Sequence, residues 1–156
     1  MIRLCKKEEF DDLVEILRLS FEKASIDKKI EDMFGNLIGI PWWKRKSIDV
    51  RNEFYLNPDG VFVKIIEGKI VGFITTIISK ESNTGRIQTL AIHPNYQRKG
   101  IGTELINHAL KYFKKEGLKL ARIDVKESNI SAFELYKRLG FKEVARQINL
   151  AMKIEK

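Results

Sequence analysis

Between residues 61 and 93 the chain reads as a succession of strands, and this run constrains the fold more than any other feature. Residues 61–67 and 69–79 are rich in β-branched side chains, which pack well on a pleated surface. Glu67-Gly68-Lys69 joins them in the manner of a tight hairpin, so the two strands run antiparallel. Asn57-Pro58-Asp59-Gly60 ahead of them is a strong turn signal, and a third strand is expected over residues 86–93, closed by Pro94.

The flanking segments carry a helical period instead. After a short strand over residues 1–5, residues 8–23 place Phe10, Leu13, Val14, Leu17 and Phe21 on one stripe. Residues 27–34 read as a second short helix, interrupted by Gly35, Gly39 and Pro41, and residues 44–56 fit a third. Trp42 and Trp43 between them either pack beneath a loop or line a substrate pocket. Residues 101–113 carry Leu105, Ile106, Ala109, Leu110 and Phe113 at helical spacing until Gly117. A strand over 120–125 and a helix over 130–139 follow, and Gly140-Phe141 leads into an expected C-terminal β hairpin. The expected architecture is α+β: a central, mostly antiparallel mixed sheet flanked by helices, in one domain spanning residues 1–156.

Composition narrows the function classes. With 44% apolar and 32% charged residues the chain can bury a core, and its apolar runs fall short of the roughly 20 residues that span a bilayer. The first residues lack the apolar stretch of a secretory signal, so a cytoplasmic location is expected, with no membrane partner. Cys5 is the one cysteine, expected in the core of the first strand, and His93 and His108 are the two histidines. So small a supply of ligands leaves little for a metal site, and no metal is expected. The formal charge of +8 is spread along the chain, with clusters at Lys44-Arg45-Lys46 and Lys114-Lys115. Such a surface attracts nucleic acid, anionic lipid or a polyanionic small molecule, or it is simply solvated. No nucleic-acid motif accompanies the charge, and no nucleic-acid partner is expected.

One junction carries specific chemistry. Leu90-Ala91-Ile92-His93-Pro94-Asn95-Tyr96 ends a strand, and Gln97-Arg98-Lys99-Gly100-Ile101-Gly102-Thr103 opens a helix. The first N–H groups of a helix lack intrahelical partners and sit at the positive end of its dipole, so they favour an anion. Gly100 and Gly102 leave the backbone bare, Arg98 and Lys99 add charge, and Thr103 adds a hydroxyl, as a diphosphate site requires. Two glycines alone also fit an ordinary turn into a helix. A dinucleotide fingerprint would need a third glycine where Leu105 stands, and no Gly-Lys-Ser/Thr occurs for a P-loop.

This segment resembles the acyl-CoA-binding motif Gln/Arg-x-x-Gly-x-Gly/Ala of the GNAT superfamily of N-acetyltransferases. Residues 129–141, Asn-Ile-Ser-Ala-Phe-Glu-Leu-Tyr-Lys-Arg-Leu-Gly-Phe, match the superfamily pattern Asn-x-x-Ala-x-x-Leu-Tyr-x-x-x-Gly-Phe at every defined position. The resemblance implies a GNAT fold whose splayed strand pair holds acetyl-CoA, with acetyl transfer to a primary amine of a small molecule, a peptide N-terminus or a lysine. Leu90, Ala91 and Ile92 would pair with the pantetheine arm, and residues Gln97 to Thr103, including Ile101, would meet the diphosphate. Asn129 would contact the cofactor, or serve only as a helix N-cap, and Tyr136 would lie near the sulfur as the catalytic acid, or only pack.

The resemblance leaves the base open. Some members place a glutamate on the cradle strand, where this chain has Arg86, which cannot accept a proton; nor can Gln88. Glu81, Glu127, His93 or a water relay are the substitutes. The missing glutamate also fits a non-catalytic acyl-CoA sensor, whereas Tyr136 points to catalysis. Arg86 and nearby lysines would favour an acceptor bearing a carboxylate or phosphate. Homodimer formation stays open, since residues 147–154 do not decide whether they pair across chains.

Overall fold

The computed structural model describes residues 1–37 and 39–155; Ile38 and Lys156, within the expected domain span, lie outside them. The elements are β1 (Ile2–Leu4), α1 (Phe10–Ser20), α2 (Ile26–Phe34), α3 (Trp42–Leu56), β2 (Val61–Ile66), β3 (Lys69–Ser79), β4 (Thr84–Ile92), α4 (Ile101–Lys115), β5 (Leu120–Ile123) and α5 (Ile130–Arg138). Short 3-10 turns precede α1, β2 and the segment leading to α4.

Among the described residues the sheet has the order β1-β2-β3-β4-β5, antiparallel except for the parallel β4–β5 pair. Glu67 and Gly68 both take positive φ, 49° and 77°, which turns β2 into β3 within two residues and fits the twist of the strands. Alternate side chains then serve two layers. Val61, Val63 and Phe73 point to α1 and α3, where they meet Leu13, Ile16, Leu17 and Val50. Phe62 and Ile74 point to α4, against Leu105, Ile106, Ala109 and Phe113. Both helix faces and the inner sheet faces are therefore buried together, the condition for a stable layered domain.

The expected elements are present with shifted ends. The first helix stops at Ser20, and Ser25 starts the next by accepting from the Lys28 N–H at 3.4 Å. Trp42 and Trp43 are the first residues of α3, and Trp42 is buried, so it packs. Cys5 is a core residue, and burial pushes its thiol up to about 12.

The C-terminal hairpin is not formed. Residues 141–155 carry no helix or strand, and Val144, Ile148, Leu150, Met152 and Ile154 are between 83% and 95% exposed. The alternation from Ile148 to Ile154 is a strand pattern, but β-propensity is realised only against a neighbouring strand, and none of the described strands pairs with this segment.

Leu105 tests the packing of α4 on the sheet. It is fully buried, so Leu105→Ala is expected to cost about 2–5 kcal/mol through the lost burial and the cavity left behind. Urea unfolding checks this: the midpoint should fall with the slope unchanged, and an unmoved midpoint would contradict the packing described.

Candidate active site

The site begins with one extra residue. Thr75 of β3 faces Thr89 of β4, whereas Thr76 faces Ile87, so Gln88 is inserted into β4 without a partner. Such a bulge bends its strand and increases the local twist. Pairing between β4 and β5 ends at the same place, with Ile87 opposite Ile123. Beyond it β4 continues along β3 as far as Ile92 opposite Gly72, while the chain after β5 leaves the sheet. The parted strands enclose a cavity of about 130 Å³, lined among others by Gln88, Leu90, Asp124, Lys126, Asn129 and Tyr136. Phe21 and Ala24, at the end of α1, close its other side.

Glu53 of α3 holds the bulge. The Thr75 hydroxyl donates to Glu53 Oε2 at 2.7 Å and the Thr89 hydroxyl donates to the same oxygen at 2.9 Å. The Thr89 backbone N–H, turned out of the ladder, donates to Thr75 Oγ1 at 3.0 Å. Thr75 and Thr89 are buried, and burial holds the Glu53 carboxyl above the usual carboxylate range although both hydroxyls pull it down. The sequence reading passed over Glu53, because a glutamate in an otherwise polar stretch of helix carries no signal until the packing of that helix is known.

At the far end of β4 lies the start of α4. Gly100, the N-cap, has φ +81°, a left-handed conformation that favours glycine, and no side chain caps the helix. The N–H groups of Ile101, Gly102 and Thr103 thus begin the helix with no partner one turn back. A Cβ at Gly102 would meet Leu135 at 3.7 Å and Leu90 at 3.9 Å, ordinary contacts, so packing does not demand glycine there. What glycine preserves is access to the backbone. Arg98, Lys99 and Gly100 are exposed; Arg98 has φ 60°, and the Lys99 ammonium lies 5.3 Å from the centre of the Tyr96 ring. Glu104, the acid of the first turn, is ion-paired with Lys64, which offsets its charge near the cradle. Gln97 folds back, its amide donating to the Ile92 carbonyl at 3.0 Å, and so fixes the loop between β4 and α4.

The other expected residues divide by place. Leu90 lines the cavity and packs with Ile92 on the α4 layer, whereas the Ala91 side chain is buried in the α1 layer, leaving only its backbone to any ligand. Asn129 caps α5, its Oδ1 accepting from the Ala132 N–H at 3.4 Å, and it also lines the cavity. Tyr136 lines the cavity with its ring 6.2 Å from that of Phe141, and burial raises its phenol above the usual range.

Of the bases considered, none borders this cavity. Glu127 pairs with Arg146 at 2.5 Å, Glu81 is exposed in the β3–β4 turn, and the His93 ring accepts from the Asn95 N–H at 3.1 Å. Asp124 is the one carboxylate in the cavity lining, and it is ion-paired with Arg86. Arg86 thus has a partner within the chain, the carboxylate of Asp124. Asp124 was missed although Glu127, three residues on, was weighed, because nothing in the sequence says which of these acids the parting of β4 and β5 brings into the cavity. Among the described residues no group of three or more His, Cys, Asp or Glu side chains comes together, and no helix is long and apolar enough to cross a membrane.

A sheet parted beside a helix N-terminus, in this order of elements, is the fold of solved GNAT structures. The model of the "Acetyltransferase (GNAT) family" matches residues 10–141, and the chain belongs to that family. It is 34% identical over 152 residues to an uncharacterized N-acetyltransferase of Methanocaldococcus jannaschii, covering 91% of this chain and 60% of that relative. It is 31% identical over 109 residues, 70% of each chain, to the ribosomal protein bS18-alanine N-acetyltransferase of Escherichia coli K12. The PaiA N-acetyltransferase of Thermoplasma acidophilum, solved in complex with coenzyme A, superposes with a TM-score of 0.73 at 25% identity, over 91% of this chain and 89% of that one.

The raised Glu53 carboxyl makes stability depend on pH. A folded-state value above the unfolded one means that the contribution is present at low pH and lost as pH rises through the folded value. Relative to Glu53→Gln, the wild type should therefore lose stability from about pH 4, near the unfolded value, to neutrality. Urea unfolding of both proteins across this range checks it, and a constant difference would contradict the desolvation of Glu53.

Proposed function

We propose that the chain transfers the acetyl group of acetyl-CoA to a primary amine, within a single domain. The observation that carries this reading is convergence: the β4 edge freed beyond Gln88 leads from the cavity that Tyr136 lines toward the loop that opens the bare start of α4. The β4 backbone around Leu90, Ala91 and Ile92 supplies hydrogen bonds that an extended amide-bearing arm would satisfy. Arg98, Lys99 and the N–H groups of residues 100–103 would hold the diphosphate, with the Thr103 hydroxyl beside them, and Gln97 would keep that loop in place. The free amide nitrogen of Asn129 is available to the same arm, since its oxygen serves the cap.

The reaction then needs few groups. The neutral amine attacks the thioester carbonyl carbon, the carbonyl oxygen becomes an oxyanion, and the carbon–sulfur bond breaks as the tetrahedral species collapses. Asp124, fixed by Arg86, takes the proton that the amine nitrogen must lose, and the Tyr136 hydroxyl donates a proton to the departing thiolate. Burial keeps Tyr136 protonated at neutral pH, the form that this role requires. The named activity of the E. coli relative makes peptides that begin with alanine, alongside simple amines and lysine side chains, the first acceptors to try.

Thiol release against a panel of amines and peptides tests the reading. Tyr136→Phe and Asp124→Asn should each lower kcat by about 10²-fold or more, the usual scale for an acid or base, while leaving acetyl-CoA binding within a few-fold. Gly102→Glu should abolish binding, because a carboxylate then occupies the anion site. Tight binding of acetyl-CoA with no turnover on the whole panel would instead make the chain a sensor, and no binding at all would refute both.

A further inference from the structure

The cavity beside Tyr136 carries a positive charge that has no hydrogen-bond partner among the described residues. Lys126 lines it from the segment after β5, and its Nζ is shut off from water with no hydrogen-bond partner among the described residues. The carboxylates nearest in sequence are committed elsewhere, Asp124 to Arg86 and Glu127 to Arg146. Burial, and with it the like charge of Lys29 on α2, holds the ammonium below the usual lysine range. A desolvated ammonium beside another cation is costly unless an anion meets it.

We infer that Lys126 receives a carboxylate of the acceptor, so that the substrate is a primary amine that also carries a negative group. The like charge of Lys29, which Lys126 feels, adds to the pull on an anion there. Location separates the acceptor from the other anion in the reaction: Lys126 shares its cavity with Phe21 and Ala24 of the turn between α1 and α2, whereas the diphosphate cradle is at the start of α4. The inference rests on the acetyl transfer proposed above and adds to it the class of acceptor.

The experiment measures kcat/KM for a series of amino carboxylates of increasing chain length, each beside its primary amide. Wild type should prefer at least one carboxylate to its amide by about tenfold or more, which corresponds to about 1.4 kcal/mol. Lys126→Met should bring that ratio close to one, Lys126→Arg should keep most of it, and calorimetric affinity for CoA should be equal in all three. Equal use of carboxylates and amides by the wild type would overturn the inference and leave the transfer reaction standing. So would a preference that survives in Lys126→Met, or a loss of CoA affinity in that variant, which would assign the charge to the donor. Absence of both CoA binding and thiol release would overturn the reading beneath it as well.

Discussion

The insertion of Gln88 into β4 is the feature on which the remaining architecture depends. A regular β4 would keep pairing with β5 along its length, and the sheet would close over the space that now lies between them. The extra residue costs a ladder position and leaves the Thr89 N–H without its usual strand partner. Thr75 Oγ1 accepts that N–H, and Glu53 collects the hydroxyls of Thr75 and Thr89, so these groups around the bulge are paired. The carboxyl desolvated for this purpose accepts from two hydroxyls, and its raised protonation range shows that burial outweighs them.

From the bulge the two faces of the sheet acquire different tasks. On one, α4 packs through Leu105, Ile106, Ala109 and Phe113 and thereby aims its own N-terminus at the end of β4. On the other, α1 and α3 pack through Leu13, Leu17 and Val50, bringing Phe21 and Ala24 to the cavity and Glu53 to the bulge. In the proposed reaction the donor approaches along the first and the acceptor along the second, and they meet where Tyr136 and Asp124 border the gap. Electrostatics follows the same division, with Arg98 and Lys99 at one end and Lys126 with Lys29 at the other.

Much of this was legible in the sequence, and what was not has a physical cause. β-Branched runs and tight turns announce strands, so residues 69–79 and the helix beginning at Ile101 were read with their observed starts, and two motifs sufficed for the family. The bulge was invisible because an added Gln88 changes neither composition nor period by enough to notice. Glu53 and Lys126 look like ordinary charged residues on polar segments, and only their partners, or the absence of partners, set them apart. Asp124 escaped although Glu127 nearby was considered, because only the parting of the strands decides which carboxylate after β5 reaches the cavity. The C-terminal alternation misled in the opposite sense, since a strand pattern becomes a strand only where an edge is offered to it.

The central claim is that β4, beyond Gln88, and the first turn of α4 together form one binding edge for acyl-CoA. Amide hydrogen exchange with and without CoA tests it most directly, because the claim concerns backbone N–H groups. The account predicts new protection over residues 88–92 and 98–103 when CoA is added, with residues 142–155 unchanged. Protection confined to basic clusters such as residues 44–46 and 114–115, with β4 and the start of α4 unaffected, would contradict it.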